Sequence, residues 1–220
     1  MWVICRFRSP TPKPLLARKT FRPVTSHGTI FKRCQLQRAS DVFYAPFLAS
    51  LSHRGVNWRP PLSGGTTGYL YSQLRTRIQS LKLDPASVNP SCKTRACRWF
   101  AFVWFQGEAD SDGNPEKSSA NADAYEQNLK NLIADVHKEV GSPTLPVVIV
   151  QTGAWAQGLS YGKIVAAAQT SVVNADKYTR IVTTSDLSKF YHYDPAAQLI
   201  IGERVALAVQ SLGAAVAAPK

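Results

Sequence analysis

Three polar residues follow the most apolar run of the chain. RWFAFVWFQ (98–106) ends in Gln106, and Glu108 and Asp110 come directly after it. A run of this kind fits a strand that is covered on both faces, and ligands of open α/β sheets bind just beyond the carboxyl ends of such strands. An amide and carboxylates at that position could serve acid–base chemistry. The simpler interpretation is an ordinary strand exit, in which Gly turns and the acids face water.

Two further stretches supply complementary groups. The glycines of SGGTTG (63–68) could present backbone N–H groups to an anion at the start of a following helix. His192, in SKFYHYDPAA, stands two residues before Asp194, which suits a helix N-cap. Backbone donors, an amide, a carboxylate and a histidine are together the groups that acyl transfer requires.

Helices and strands must alternate to bring these groups together. Apolar spacing predicts helices over 70–81, 122–141, 162–173 and 194–213, and Gly213 is expected to end the last of them. Buried strands are predicted over 98–106, 145–152 and 180–186, and a short element over 42–51. This alternation predicts a three-layer α/β/α sandwich around a central parallel sheet.

Charge divides the chain near residue 61. The net charge is +12, but residues 1–60 hold 11 Lys/Arg and one acid, while residues 61–220 hold 15 Lys/Arg and 13 acids. We therefore predict an atypical basic segment over 1–60, either disordered or not native to the domain, and one α/β domain over 61–220. Because the basic residues lie in a proline-punctuated arm without a recognition motif, we expect no nucleic-acid partner.

The N-terminal segment has no recognisable secretory signal, because charges interrupt every apolar stretch. Its Arg-rich, hydroxyl-rich and acid-free composition weakly resembles that of a transit peptide. No apolar run approaches the roughly 18 residues of a membrane helix, so we expect no membrane partner. Cys92 and Cys97 could close a small loop in an oxidising compartment, or remain free thiols. The Cys and His residues show no zinc spacing.

The three polar stretches resemble the motif blocks of one family. WFQGEAD resembles the W-x-Q-G-E-x-D block of the sialate O-acetylesterase-like carbohydrate esterases, a branch of the SGNH hydrolases. SGGT resembles their second block, and HYDPAAQLIIGERVA their C-terminal histidine block. The resemblance covers about residues 62–213. It implies a flavodoxin-like SGNH fold and hydrolysis of acetyl esters on carbohydrates, without a metal or an organic cofactor.

The resemblance also implies roles for single residues. His192 would be the general base, and Glu108 the acid that orients it. Gln106 would donate from its side chain to the oxyanion, and the backbone N–H of Gly64 or Gly65 would supply another donor. These are the parts of a serine hydrolase.

Three acids compete with or flank these assignments. Asp186, six residues before His192, is a rival for orienting the histidine. Family members often carry Asp three residues before the histidine, but Lys189 stands there, which leaves Glu108 as the favoured acid. Asp194 is explained by helix capping alone. Asp110 is interpreted as loop structure.

The expected nucleophile is missing. Family members begin with a strand that runs into G-Q-S-N, but neither GQS nor GDS occurs in this chain. Ser40 is the least unsuitable substitute and Ser26 is weaker, so the nucleophile stays unassigned. Two functions follow: a serine-type carbohydrate acetylesterase, inactive if this chain lacks its serine, or a non-catalytic carbohydrate-binding or degenerate remnant. The sequence does not indicate an oligomeric state.

Overall fold

The computed structural model describes residues 2–7, 42–46, 69–84, 97–111, 119–152, 159–187 and 193–217. The strands are β1 (Trp2–Phe7), β2 (Val42–Pro46), β3 (Cys97–Phe105), β4 (Val147–Val150) and β5 (Thr179–Val182). The helices are α1 (Tyr69–Leu83), α2 (Glu108–Ser111), α3 (Ala120–Val140), α4 (Gly162–Ala175) and α5 (Pro195–Ala217).

These strands form one sheet in the order β2-β1-β3-β4-β5. β3, β4 and β5 are parallel, as predicted, with Phe102 opposite Val147 and Val150 opposite Val182. β1 is antiparallel to both of its neighbours, β2 and β3. Within the described residues, the parallel part of the sheet is therefore three strands wide, and the two N-terminal strands extend it on the β3 side. The predicted domain boundary at residue 61 stays a prediction.

Two apolar layers cover the parallel strands. Phe102 and Trp104 of β3 belong to the layer that α1, α3 and α4 complete, whereas Ala101 and Val103 belong to the layer that α5 completes. This alternation follows from the two-residue period of a strand and explains the unbroken apolar run, since both faces are buried. The predicted three-layer α/β/α sandwich is confirmed.

Helix ends show where local signals were reliable. Gly141 ends α3 in the left-handed conformation, with φ 76°. Asp194 caps α5, because its Oδ1 accepts the Ala197 N–H at 2.7 Å. The predicted stop at Gly213 was wrong, since α5 continues to Ala217. A glycine inside a helix costs only about 1 kcal/mol relative to alanine, and the AAVA that follows favours helix.

Among the helices of the described ranges, none combines the length and the apolar character needed to cross a membrane.

Candidate active site at the carboxyl ends of the parallel strands

Gly107 makes the turn by which the chain leaves β3. Its φ is +148°, a conformation that side-chain-bearing residues rarely adopt. A Cβ at this position would lie 2.7 Å from Thr152 Cγ2 and 2.9 Å from Val165 Cγ1. Both neighbours are buried and β-branched, so neither has room to withdraw. The turn therefore requires glycine and presses the end of β3 against the exit of β4 and the first turn of α4.

The backbone of Gln106 is fixed by two side chains. Its carbonyl accepts a hydrogen bond from the Tyr125 hydroxyl at 2.7 Å and another from Gln169 Nε2 at 3.0 Å. Trp104 Nε1 donates to the Tyr125 hydroxyl at 3.2 Å, and Gln169 Oε1 accepts the Thr152 N–H at 3.0 Å. One buried network therefore joins β3, the exit of β4, α3 and α4.

Burial raises the pKa of the Tyr125 phenol well above its usual value, and the negative charges of Asp110 and Glu108 add to the increase. This phenol stays neutral and can donate to the carbonyl throughout the physiological pH range. The apolar spacing of 122–141 predicts a helix but does not predict the polar role of Tyr125. Gln169 was missed, although it lies on the buried face of α4 with Val165 and Val172, and a polar residue on such a face is a signal.

The side chain of Gln106 is held separately. Its Nε2 donates to Asp110 Oδ2 at 2.9 Å, and Asp110 is only 2% exposed. The Oε1 atom of Gln106 is buried and has no hydrogen-bond partner among the described residues. Asp110, interpreted from the sequence as loop structure, instead lies in α2, and its carboxyl group is buried.

Glu108 begins α2 and is half-buried. Its charge raises the pKa of Tyr193, although burial is the larger cause. Tyr193 packs on Phe105, the last residue of β3, with ring centroids 5.7 Å apart. Thr184 donates to the Gln151 carbonyl at 2.9 Å and so accepts from the Tyr193 hydroxyl at 2.6 Å. Tyr193 directly follows His192 in sequence, and it lies where β3, β4 and β5 end.

Asp186, which competes with Glu108 for the role of orienting the histidine, is engaged elsewhere. Arg204 Nη1 donates to its Oδ1 at 2.7 Å, and Arg204 Nη2 contacts its Oδ2 at 2.5 Å. This bidentate pairing lowers the pKa of Asp186 to about 2, and the side chain is 57% exposed.

The predicted site residues His192, Gly64 and Gly65 lie outside the described residues, as do the weaker serine candidates Ser26 and Ser40 and the loop cysteine Cys92. Of the predicted site residues, Gln106 and Glu108 are therefore the ones whose arrangement is visible. Within the described ranges, no group of three or more His, Cys, Asp or Glu residues could hold a metal ion.

The fold is that of an SGNH-like hydrolase, and similarity to known proteins specifies the family. A family model described as carbohydrate esterase, sialic acid-specific acetylesterase, matches residues 57–211, which is more than half of the chain. The chain therefore belongs to this carbohydrate esterase family. The matched region includes SGGT, WFQGEAD and the HYDPAA block.

Two solved structures are similar to the chain. A protein from Arabidopsis thaliana is 22% identical, with a TM-score of 0.52, and the match covers 66% of this chain and 53% of that protein. A carbohydrate acetylesterase from Xanthomonas citri is 17% identical, with a TM-score of 0.43, and the match covers 62% of this chain and 35% of that enzyme. The chain thus spans about half of the first structure and about a third of the second. No curated protein matches the chain.

Proposed function

We propose that this chain is a carbohydrate acetylesterase domain that hydrolyses O-acetyl esters of sugars or polysaccharides. His192 acts as the general base, Glu108 orients it, and Gln106 with the backbone N–H of Gly64 or Gly65 binds the oxyanion. The family supports the reaction class.

The main support for the proposal is the arrangement of residues where β3 ends. Glu108 follows the Gly107 turn at the end of β3, where the ring of Phe105 packs on Tyr193 with centroids 5.7 Å apart, and Tyr193 is the sequence neighbour of His192. Consecutive Cα atoms are about 3.8 Å apart. We therefore assign the orienting role to the carboxylate that follows this end of β3.

The rival acid is less well suited to this role. Both oxygens of Asp186 are engaged by Arg204, so orienting a histidine would compete with that ion pair. Glu108, in contrast, begins a one-turn helix whose position is set by the Gly107 turn. This difference favours Glu108 as the orienting acid.

The reaction would proceed in two steps, acylation and deacylation of the serine. A serine hydroxyl attacks the acetyl carbonyl carbon while the histidine accepts its proton, and the carbonyl oxygen gains negative charge. The histidine then returns the proton to the departing sugar oxygen, which leaves an acetyl-enzyme. Water, deprotonated by the same histidine, releases acetate and regenerates the serine. Donors aimed at the oxyanion stabilise the charge that develops in both steps.

Acetate release from acetylated sugars, followed by NMR, tests the proposal. His192→Ala should abolish turnover, and Glu108→Gln should lower kcat by roughly 10²–10⁴-fold, because the histidine loses its orienting acid. Glu126→Gln is the matched control, since Glu126 is a carboxylate of α3 that pairs with Lys130 and Ser171. Equal rates in Glu108→Gln and wild type would refute the assigned role of Glu108.

The second candidate function is carbohydrate binding without catalysis, and the absence of a GQS or GDS motif favours it. Fluorophosphonate labelling of the purified chain, followed by peptide mass spectrometry, distinguishes the two functions. A single labelled serine whose labelling is lost in His192→Ala identifies an enzyme. A folded protein that takes no label but binds acetylated sugars in calorimetry is a binding module.

A further inference from the structure

Asp110 is a buried charge that the proposed mechanism leaves without a role. Charged residues are almost never buried to this degree unless they are paired or hydrogen-bonded. Asp110 is 2% exposed, and its Oδ2 accepts from Gln106 Nε2 at 2.9 Å. A buried carboxylate that binds the side chain of a proposed oxyanion donor is placed to control that donor.

The position of Asp110 does not depend on the side chain of Gln106. Ser111, at the end of α2, donates both its N–H and its hydroxyl to the Gly107 carbonyl, at 3.0 and 2.7 Å. The Ser111 carbonyl in turn accepts the N–H of Tyr161, just before α4, at 3.1 Å. Ser111 therefore links the short helix both to the Gly107 turn and to the start of α4, and these bonds fix the position of Asp110.

The chemistry of the contact determines how the Gln106 carboxamide is turned. A carboxylate accepts hydrogen bonds and cannot donate them, whereas a carboxamide carries both an acceptor oxygen and two N–H donors. Turning the carboxamide over would bring Oε1 against Asp110 Oδ2, two oxygens at hydrogen-bond distance without a proton between them. The favoured orientation directs Nε2 to Asp110, and this contact uses one of the two N–H groups.

The other end of the carboxamide offers no competing anchor. Among the described residues, Gln106 Oε1 is buried without a hydrogen-bond partner, which is unfavourable by itself. No donor among the described residues therefore holds the oxygen in place, and the orientation depends on the nitrogen side. Because the backbone of Gln106 is fixed by Tyr125 and Gln169, only the side-chain torsions remain to be set.

We propose that Asp110 is a positioning residue that locks the Gln106 carboxamide with its nitrogen inward and its second N–H available to the oxyanion of the acetyl ester. The proposal rests on the proposed function for its purpose, but not for the contact itself. Asn at position 110 could either donate or accept, so it would permit both orientations. An aspartate permits one.

The first test measures the orientation without any turnover. In ¹⁵N–¹H spectra of the full chain, the side-chain amide pair of Gln106 is assigned by its loss in Gln106→Ala. In wild type, one of the two amide protons should be shifted downfield by the carboxylate, and Asp110→Asn should remove that shift. Asp176→Asn, which changes a carboxylate that binds the Tyr178 N–H and the Thr179 hydroxyl, is the matched control and should leave it unchanged. If both side-chain amide protons of Gln106 in the wild type had the chemical shifts of a free carboxamide, the proposal would be overturned.

The second test is a double-mutant cycle on acetate release. Asp110→Asn should lower kcat about 10-fold with KM unchanged, less than the roughly 10²–10³-fold expected for loss of one oxyanion donor. In the Gln106→Ala background it should have no further effect on kcat, because its target is gone. An equal loss in both backgrounds would overturn the proposal. A downfield amide proton in a chain without turnover would support the lock and refute the proposed function instead.

Discussion

Two acids follow parallel strands at the same edge of the sheet, yet their surroundings differ. Asp110, beyond β3, is buried and binds the carboxamide of Gln106, next to a network that joins four elements. Asp186, beyond β5, is 57% exposed and pairs with Arg204. Buried hydrogen bonds are costly to break because the groups left behind lack water, whereas exposed ion pairs are screened. Stability and positioning should therefore depend on the β3 exit much more than on the β5 exit.

The largest expected effect is that of Gly107→Ala. The added Cβ would meet two buried side chains at 2.7 and 2.9 Å in a backbone conformation that disfavours alanine. Overpacking and strain together should lower the free energy of unfolding by about 2–6 kcal/mol. Urea denaturation measures the change.

Gly141→Ala separates the two causes. Gly141 also has positive φ, 76°, but nothing lies within 4 Å of the place that its Cβ would take, so only the backbone strain of about 1–2 kcal/mol applies. Equal losses in the two variants would show that crowding at the β3 exit is unimportant, and the comparison between the two exits would fail.

An intermediate effect is expected for Tyr125→Phe. Removal of the hydroxyl deprives the Gln106 carbonyl of one donor and leaves Trp104 Nε1 without this acceptor. The free energy of unfolding, measured by urea denaturation at neutral pH, should fall by about 1–3 kcal/mol.

The same variant carries a pH dependence. The pKa of Tyr125 is raised in the folded state, so its contribution to stability is complete below the unfolded value near 10 and is lost as pH rises above it. The stability difference between wild type and Tyr125→Phe should therefore narrow above about pH 10. A difference that stays constant between about pH 8 and 11 would contradict the assigned burial of the phenol.

The smallest effect is expected for Asp186→Asn. Pairing with Arg204 lowers the pKa of Asp186 to about 2, so the stabilising contribution is present above the unfolded value near 3.8 and is lost as pH falls through about 2. Because the carboxylate is exposed, the midpoint of thermal unfolding should barely change at neutral pH, and less still in high salt. If the midpoint of thermal unfolding fell as far in Asp186→Asn as in Tyr125→Phe, the proposed difference between the exits of β3 and β5 would be contradicted.

Sequence patterns predicted the layers because burial on two faces leaves a continuous apolar run such as 98–105, and helical spacing marks residues such as Leu129 and Val136. The Asp194 cap was predictable for a similar reason, because it depends only on residues within one helical turn. The polar network could not be predicted, because Tyr125 and Gln169 meet the end of β3 only after three elements pack together. Asp110 was misjudged because its burial depends on the turn after β3, whose close approach to β4 and α4 has no signature in the sequence.

The direction of β1 restricts how a nucleophile could be delivered. Trp2 lies opposite Val103 and Phe7 opposite Cys97, so β1 begins at the edge that carries Gln106 and ends at the other edge. A strand of this length spans roughly 17–20 Å. Phe7, where β1 ends, therefore lies at the edge of the sheet opposite to the one that carries Gln106. In the family that the sequence resembles, by contrast, the first strand runs directly into the serine.

β2 runs the opposite way and ends with Pro46 opposite Trp2, on the edge of the site. Of the two N-terminal strands, β2 is therefore the one that ends at the edge of the sheet that carries Gln106.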